Sequence, residues 1–356
     1  MIVPNKYPYL RNKEGIIQCT YTTSQMFLVD FEGAIRTLLL TVFLLASLSC
    51  ESPSSTDKRK VVSIELNHDS LMVFVDSTAK FTAVGKDGSG DEVNGLVFTW
   101  ESAHPGIATI DNAGVVTGVA PGITTVTAKL HEVESLPARV KVIETGSVID
   151  FDGNRYLTVK IGDQWWMAEN LKVTHYRNGD IIPNVTDDAE WSELTTGAYC
   201  EYGNNPANVE TYGRLYNWYA LADSLNIAPE GWHVPSVDEW QQLEMYLGMS
   251  QSEADQIDGY RGSNQGSQLA ADESLWIDGE LENNAAFGSS GFTALPGGFR
   301  YNDGLFHSKG YLAQFWSSTE LGWLLFYHRS LKYNRTGVGS GGYHKQFGLS
   351  VRLVRD

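Results

Sequence analysis

The pattern of the sequence changes near Glu144, and this change divides the chain into two folded units of different kinds. Between Val61 and Ile143, short runs rich in Val, Ile and Thr are separated by Gly, Asp, Asn and Pro. After residue 150 the sequence becomes rich in aromatic residues, and nine of the ten tryptophans lie there. A chain of 356 residues also has the length of two domains. We therefore expect a β-rich first domain and a second domain packed by aromatic side chains.

The first domain, residues 61–144, is predicted to be an antiparallel β-sandwich. It contains about seven short strand-like runs with turn signals between them, which is typical of that architecture. Trp100 ends a run whose apolar residues alternate, so we expect its indole to lie between the two sheets. Three histidines of this domain are expected at its surface: His68, His104 and His131.

An ordered series of short motifs in this domain resembles the bacterial Ig-like domain, group 2. The motifs are WES (100–102), Pro105, IATID (107–111), GVVTG (114–118), PG (121–122) and VTA (126–128). Members of that family serve as spacers or adhesive stalks in bacterial surface proteins. The resemblance therefore implies an Ig-like sandwich with a structural role.

The second domain, residues 150–356, is predicted to contain two helices. Residues 213–225 have apolar side chains at the spacing of an amphipathic helix. A second helix is expected to begin after Ser236, where Glu239 completes a capping box. The remainder is expected to be short strands and long loops.

Two strand features are specific enough to predict in this domain. Residues 297–307 are expected to form a hairpin that turns at residues 302–304, where the sequence is Asn-Asp-Gly. Residues 348–354 alternate apolar and polar side chains and are expected to form the final strand.

Six ordered motifs in the second domain resemble the Fibrobacter succinogenes major paralogous domain, which is found in secreted proteins of Bacteroidetes. The motifs are GDQWWMAENL (162–171), YGRLYNW (212–218), GWHVPS (231–236) with Glu239 and Trp240, GFTALPGGFR (291–300), FWSSTE (315–320) and SVRLVRD (350–356). Their order is also similar to the formylglycine-generating-enzyme branch of C-type-lectin-like folds. The resemblance implies an α+β C-type-lectin-like domain with two helices, a small twisted antiparallel sheet and loops held by aromatic packing.

An apolar run near the N-terminus predicts export. Residues 38–49 are too short for a bilayer-spanning helix, which needs about 20 residues, but have the length of a signal-peptide core. The small residues before Cys50 resemble the lipobox of bacterial lipoproteins, in which the cysteine is lipidated. We expect residues 1–49 to be a signal peptide whose true start lies nearer the apolar run, and residues 50–60 to be a lipid anchor and flexible tether. The alternatives are a plain signal peptide or a buried core segment.

The charge balance limits the partners of the chain. With 26 Lys and Arg against 43 Asp and Glu, the net charge of −17 argues against nucleic acid and against a basic patch for anionic lipids. Contact with a membrane is therefore expected through a lipid on Cys50, at the outer membrane, with the protein periplasmic or exposed at the surface. Cys200 is expected to be a buried free thiol.

No cofactor or metal is predicted. The second domain contains one cysteine, Cys200, and cannot form the cysteine pair of the cysteine-oxidising enzymes that it resembles. The Glu-Pro-Asn and Gln-Pro-Asp tripeptides of calcium-binding lectins do not occur in the sequence. Four loop residues are interpreted as solvated turn residues, with a structural cation as the alternative: Asp187, Asp188, Asn204 and Asn205.

Two further patterns have structural interpretations. Gly337, Gly339 and Gly342 satisfy G-x-G-x-x-G, but strand-like sequence follows where a dinucleotide site needs a helix, so we expect a flexible loop. His233 lies just before the predicted helix cap and is expected to be a packed structural residue.

The candidate ligand-binding surface lies in the last loops, where aromatic and polar residues alternate with glycines. Its residues are Trp323, Tyr327, His328, Tyr333, Asn334, Arg335 and Tyr343. Such mixtures suit contact with glycans or proteins. The alternative is that these residues belong to the core and to loops without a binding role. We therefore expect a non-catalytic surface lipoprotein whose Ig-like stalk presents a lectin-like head. The alternatives are an unrecognised enzyme acting on polysaccharide or protein, such as a hydrolase, and a ligand-binding protein diversified by a retroelement.

Overall fold

A computed structural model describes residues 11–12, 15–16, 59–322 and 325–356. The expected signal peptide and tether, Cys50 and Trp323 lie outside the described residues. A short antiparallel hairpin consists of β1 (Arg11–Asn12) and β2 (Gly15–Ile16). Residues 59–356 form one compact unit. Within the part of the chain that the structure describes, no helix combines the length and the apolar character needed to cross a membrane.

Between residues 59 and 143 the structure contains strands and no helix, as predicted for residues 61–144. Its strands are β3 (Ser63–Leu66), β4 (Ser70–Phe74), β5 (Thr78–Lys80), β6 (Ala83–Lys86), β7 (Glu92–Val93), β8 (Thr99–Ser102), β9 (Ala108–Ile110), β10 (Val115–Gly118), β11 (Gly122–Leu130), β12 (Val133–Glu134) and β13 (Ala138–Ile143). They form three sheets, ordered β3-β6-β7, β5-β10-β9 and β12-β11-β13-β4, with β8 also pairing with β11. The β13–β4 pair is parallel, so the expectation of an antiparallel arrangement is wrong for this pair.

Alternation of buried and exposed residues builds the core of this segment. Val126 and Ala128 on β11 are fully buried, as is Val140 on β13. Trp100 is half-buried and packs against Phe81 with ring centroids 6.4 Å apart, which confirms that its indole contributes to the core. The structure also confirms the exposed positions expected of His68, His104 and His131.

The segment from residue 144 onward contains several small sheets and short helices. Its strands are β14 (Thr145–Ile149), β15 (Arg155–Ile161), β16 (Gln164–Met167), β17 (Tyr199–Cys200), β18 (Leu215–Tyr216), β19 (Trp232–His233), β20 (Gly259–Arg261), β21 (Phe299–Arg300), β22 (Phe306–His307), β23 (Leu312–Leu321), β24 (Leu325–Lys332), β25 (Val338–Tyr343) and β26 (Val354–Arg355). The main sheets have the orders β14-β15-β16-β26-β19 and β20-β25-β24-β23, and two more pairs are β17-β18 and β21-β22.

The described residues of this segment contain six α-helices where the sequence predicted two. They are α1 (Asp188–Ser192), α2 (Val209–Tyr212), α3 (Trp218–Ala222), α4 (Val237–Tyr246), α5 (Gln251–Ala254) and α6 (Gln265–Leu269). Short 3-10 turns cover Tyr202–Asn204, Pro206–Asn208 and Glu273–Leu275. The capping box at Ser236 and Glu239 is present at the start of α4, as predicted.

The predicted helix over residues 213–225 is wrong for its first turn. Leu215 and Tyr216 instead form β18, which pairs with β17. Asn217 then caps α3 by accepting a hydrogen bond from the Ala220 amide. Gly213, with φ of 69°, turns the chain between α2 and β18. Pairing with a distant strand therefore overrides the local apolar spacing.

The predicted final strand over residues 348–354 is also wrong for most of its length. Only β26 is a strand, because the preceding backbone bonds to several different elements. Leu349 pairs with Tyr216, while the Ser350 amide donates to the Gln314 carbonyl. The Val351 carbonyl accepts from the Leu171 amide. The predicted hairpin is confirmed, since β21 pairs with β22 across residues 301–305.

The family motifs supply the core of this segment. Trp166 and Trp240 lie 4.8 Å apart between ring centroids, and both contact Phe292 at 5.7 Å. Phe315 closes the cluster at 5.8 Å from Phe292. All four rings are at most 2% exposed. These aromatic residues of the motifs therefore have a structural role, because they pack against one another in the core of this segment.

The two segments share side chains at their junction. Ile143, the last residue of β13, belongs to the same core as Trp166, and Phe74 of β4 packs against that core. Lys141 Nζ donates to the Ser289 carbonyl at 3.3 Å. A single residue, Glu144, separates β13 from β14.

Candidate functional site

A row of polar side chains crosses one face of the four-stranded sheet. Gln314 on β23 is the register partner of Ser330 on β24, which faces Gly339 on β25. Gly339 in turn faces Tyr260 on β20. Because side chains at paired positions share a face, these four residues line one groove of about 330 Å³.

Glycines on β25 allow side chains of the neighbouring strands to lie directly over its backbone. A Cβ atom built on Gly339 would lie 2.2 Å from Ser330 Oγ. A Cβ atom on Gly341 would lie 3.1 Å from His328 Cε1 and 3.4 Å from Asp258 Oδ1. Side chains at these two positions would therefore displace residues that line the groove.

Two buried polar atoms in the groove lack a hydrogen bond. Gln314 is 2% exposed and His328 is 7% exposed. Gln314 Nε2 donates to Tyr343 Oη at 2.9 Å. Gln314 Oε1 and His328 Nδ1 have no hydrogen-bond partner of good geometry within residues 59–322 and 325–356. Such atoms are costly to bury, so they are expected to have a partner from outside the chain.

The inner groups of the groove are electrically neutral at pH 7. Burial, and then the nearby Arg329, lower the pKa of His328 to about 3, against an opposing effect of the Gly341 backbone. Burial raises the pKa values of the Tyr260 and Tyr343 phenols. The groove therefore presents an amide, hydroxyls and a neutral imidazole.

Stacked aromatic rings extend from one end of the groove. The rings of His328 and Tyr343 are stacked nearly parallel, with 5° between their planes and centroids 4.0 Å apart. Tyr343 stacks in turn on Phe347 at 4.3 Å, and Tyr301 contacts Phe347 edge-on at 4.6 Å. Tyr301 is 41% exposed, so the stack reaches from the buried imidazole to the surface.

A buried ion-pair network holds the opposite face of the same sheet. Glu244 on α4 accepts from Arg261 Nη2 at 2.6 Å and from Arg329 Nε at 2.7 Å. Arg329 Nη1 also donates to Ser340 Oγ at 3.0 Å. Burial lowers the pKa of Arg261, and the adjacent Glu244 carboxylate opposes that shift. The network joins strands β20, β24 and β25 to one helix.

Of the predicted ligand-surface residues that the structure describes, two lie together in the groove. His328 and Tyr343 both face the groove, whereas Tyr327 points to the opposite face of β24. The expectation that these three residues lie in loops is wrong, because they are on β24 and β25. Trp323 is outside the described residues.

The other predicted residues lie at the turn between β24 and β25. Tyr333 is half-buried and packs edge-on against Tyr311, with centroids 5.4 Å apart. Asn334 is half-buried and Arg335 is exposed. None of the three lines the groove described above.

Sequence reasoning missed Gln314, Ser330 and Tyr260. The signal that was available is the glycine pattern of residues 337–342, which we expected to form a flexible loop. That expectation is wrong, because Gly339 and Gly342 lie within β25. A glycine inside a strand often marks a place where another group approaches the backbone closely, as Ser330 does at Gly339.

Other candidate residues have structural roles. Cys200 is a buried free thiol, as predicted, and burial raises its pKa to about 12. His233 Nδ1 lies 2.6 Å from Asp356 Oδ1, and its Nε2 lies 2.7 Å from Glu239 Oε1. This imidazole therefore joins residue 356 to the start of α4.

The four candidate cation ligands are exposed, and each makes a contact within the chain. Asp187 caps α1 by accepting from the Glu190 amide, and Asp188 Oδ1 accepts from Arg300 Nη2 at 2.7 Å. Asn204 donates to the Thr186 carbonyl, and Asn205 accepts from the Ala207 amide. No group of three or more His, Cys, Asp or Glu that could hold a metal ion occurs in the described part of the chain.

Solved structures resemble the chain only distantly. Domains 4 and 5 of the S-layer protein SbsC are 25% identical over 23% of this chain and 52% of that chain, with a TM-score of 0.20. The Yersinia pseudotuberculosis adhesin InvE is 10% identical over 82% of this chain and 96% of that chain, with a TM-score of 0.19. Among curated proteins, none matches significantly.

Family models match both segments in the predicted order. The model of the bacterial Ig-like domain, group 2, matches residues 60–140. The model of the Fibrobacter succinogenes major domain matches residues 159–355, which is more than half of the chain and includes the groove. The chain therefore belongs to the Fibrobacter succinogenes major domain family and has a bacterial Ig-like domain ahead of the family segment.

Proposed function

We propose that this protein is a non-catalytic binding protein of the bacterial cell envelope. Its Ig-like domain acts as a stalk, and its C-terminal domain, for which we propose a C-type-lectin-like fold, binds a ligand in the groove of β23, β24, β25 and β20. The observation that carries this proposal is that two residues lining the groove each bury a polar atom, Gln314 Oε1 and His328 Nδ1, without a partner among the described residues. A bound ligand would supply the missing hydrogen bonds.

The chemistry of the groove favours binding over catalysis. A general base works best when its pKa lies near the working pH. The pKa of His328, at about 3, lies far below that range. The remaining inner groups are an amide and hydroxyls, which suit recognition by hydrogen bonds.

Attachment to the outer membrane through a lipid on Cys50 is the second part of the proposal. It is supported by the apolar run of residues 38–49 and by the small residues that precede Cys50. Labelling cells with palmitate tests it: wild type is expected to be labelled and to fractionate with membranes. A Cys50→Ala variant that is still labelled would contradict the anchor.

Binding by the C-terminal domain is tested with the full chain on panels of immobilised glycans and proteins. We expect wild type to bind at least one of them and Gly341→Val to lose that binding, because the valine side chain would press on His328 and Asp258, which line the groove, while remaining compatible with a strand. Gly106→Val is the matched control, since a Cβ atom at Gly106 meets nothing within 4 Å. Binding that survives Gly341→Val would place the site elsewhere.

A further inference from the structure

We propose that the groove binds an uncharged carbohydrate, one sugar unit of a neutral glycan, without a metal ion. This inference rests on the proposed function, because it specifies the ligand of the same groove. The volume of about 330 Å³ lies at the lower end of the roughly 300–1,000 Å³ range of small-ligand sites. A single ring with its substituents therefore suits the groove better than a folded protein surface does.

The hydrogen-bonding groups of the groove match hydroxyls. Gln314 Oε1 can only accept, whereas Ser330 Oγ and Tyr260 Oη can both donate and accept. The neutral His328 ring has one nitrogen that donates and one that accepts. A sugar hydroxyl is donor and acceptor at once and can satisfy either kind of group. A phosphate or carboxylate offers acceptors only and would leave Gln314 Oε1 unpaired.

The charges around the groove also argue against an ionic ligand. The lining contains one acidic residue, Asp258, and one basic residue, Lys332, so its formal charge is balanced. An anion needs clustered cationic groups for recognition, such as arginine forks. Calcium needs six to eight oxygen ligands, commonly including several carboxylates, and among the described residues that line the groove Asp258 is the sole carboxylate.

Aromatic surface is available for the apolar face of a sugar ring. Tyr260 is 40% exposed at the wall of the groove, and its ring lies 3.1 Å from the Cβ position of Gly339. The C–H bonds on one face of a pyranose carry partial positive charge and pack on the negative face of an aromatic ring. A sugar in the groove can therefore stack on Tyr260 while its hydroxyls reach Gln314.

The test uses the full chain and measures affinity for immobilised neutral polysaccharides, anionic polysaccharides and proteins, with and without EDTA. We expect binding to at least one neutral polysaccharide, unchanged by EDTA and by raising NaCl from 0.15 to 0.5 M. Gln314→Met is expected to weaken that binding by about tenfold or more. Methionine is similar in size to glutamine but lacks the amide that would hydrogen-bond to the ligand.

A measurement of the unfolding midpoint shows whether Gln314→Met weakens binding directly or by destabilising the fold. Gln314→Met is expected to leave the unfolding midpoint unchanged or raised, since it removes an unpaired buried oxygen along with one hydrogen bond to Tyr343. Gln242→Met is the control, because Gln242 is exposed on α4 and does not line this groove. Tyr260→Phe is expected to weaken binding less than Tyr260→Ala does, because phenylalanine keeps the ring that stacks on the sugar and loses only the hydroxyl.

The outcomes distinguish this inference from the proposed function. Groove-dependent binding to a protein or an anionic polysaccharide alone would overturn the neutral-sugar inference and leave the proposed function standing. Binding to a neutral glycan that is abolished by EDTA, or that Gln314→Met does not weaken, would also overturn the inference. Absence of binding to every member of the panels would overturn both.

Discussion

Glu244 and Arg329 form an ion pair, 2.7 Å between Oε1 and Nε, on the underside of the sheet whose other face is the groove. Both side chains are at most 2% exposed. Because Glu244 also pairs with Arg261 at 2.6 Å, one carboxylate from α4 fixes the positions of β24 and β20. The network contains two cations and one anion, so its carboxylate is the group whose loss would be least tolerated.

Replacing Glu244 by glutamine is expected to lower the free energy of unfolding by about 3–5 kcal/mol, since two buried guanidinium groups would lose their counter-charge. Urea unfolding followed by tryptophan fluorescence measures the effect. Glu230→Gln, at an exposed position of the same segment, is the control and is expected to change stability by less than about 0.5 kcal/mol. A small effect for Glu244→Gln would show that water reaches the network.

Arg352 is another buried charge with a structural role. Its guanidinium donates to Asn170 Oδ1 at 2.6 Å and to the carbonyls of Met167, Phe292 and Thr293 at 2.9, 2.5 and 2.8 Å. Burial lowers its pKa to about 9, so the side chain remains charged at pH 7.

Arg352→Lys is expected to destabilise the fold by about 2–4 kcal/mol, because an ammonium group cannot satisfy these four acceptors in the geometry of a guanidinium fork. Thermal and urea unfolding measure the change. Arg355→Lys, three residues further on at an exposed position, is expected to have little effect. Equal effects of the two substitutions would contradict this role for Arg352.

His233 makes stability depend on pH. Burial acts to lower the pKa of His233, but hydrogen bonds and charge interactions with Asp356 and Glu239 outweigh it, so the pKa is raised. A raised pKa means that the contribution to stability is complete below the unfolded-state pKa of about 6.5 and is lost as pH rises through the folded-state value.

Wild type is therefore expected to exceed His233→Gln in stability by more at pH 5.5 than at pH 9. The difference is expected to stay below about 1 kcal/mol, because the imidazole is 38% exposed and solvent screens the pair. Urea unfolding at the two pH values measures it. Asp356→Asn, which removes one of the two carboxylates, is expected to show an intermediate pH dependence. If the stability difference between wild type and His233→Gln increased with pH, it would contradict a raised pKa of His233.

Local signals in the sequence predicted the elements that depend on local chemistry. The capping box at Ser236 and Glu239 and the turn between β21 and β22 are set by residues a few positions apart, and both are confirmed. The strands of the Ig-like domain follow from two-residue alternation. The helix expected from residue 213 failed because Leu215 and Tyr216 pair with residues 199–200, which local spacing does not reveal.

The groove could not be assembled from sequence because its residues meet through strand register. Tyr260 and Gln314 are 54 positions apart, and two intervening strands bring them to one row. The candidate list included neighbours such as Tyr327 and His328, but adjacent residues of a strand face opposite ways. The sequence does contain a run of glycines around Gly339. Their role in leaving room for a neighbouring side chain becomes clear only from the pairing of Gly339 with Ser330.

The single residue between β13 and β14 has a mechanical consequence. With Ile143 and Phe74 both seated in the core of the C-terminal segment, that segment cannot swivel on the Ig-like domain as it would on a flexible linker. A force applied to a ligand in the groove would be transmitted to the Ig-like domain through β13. This strand is paired with β11 on one side and β4 on the other. Tension along a strand held on both sides loads many hydrogen bonds together in shear. Rupture under load would then be governed by the rate at which this junction unfolds.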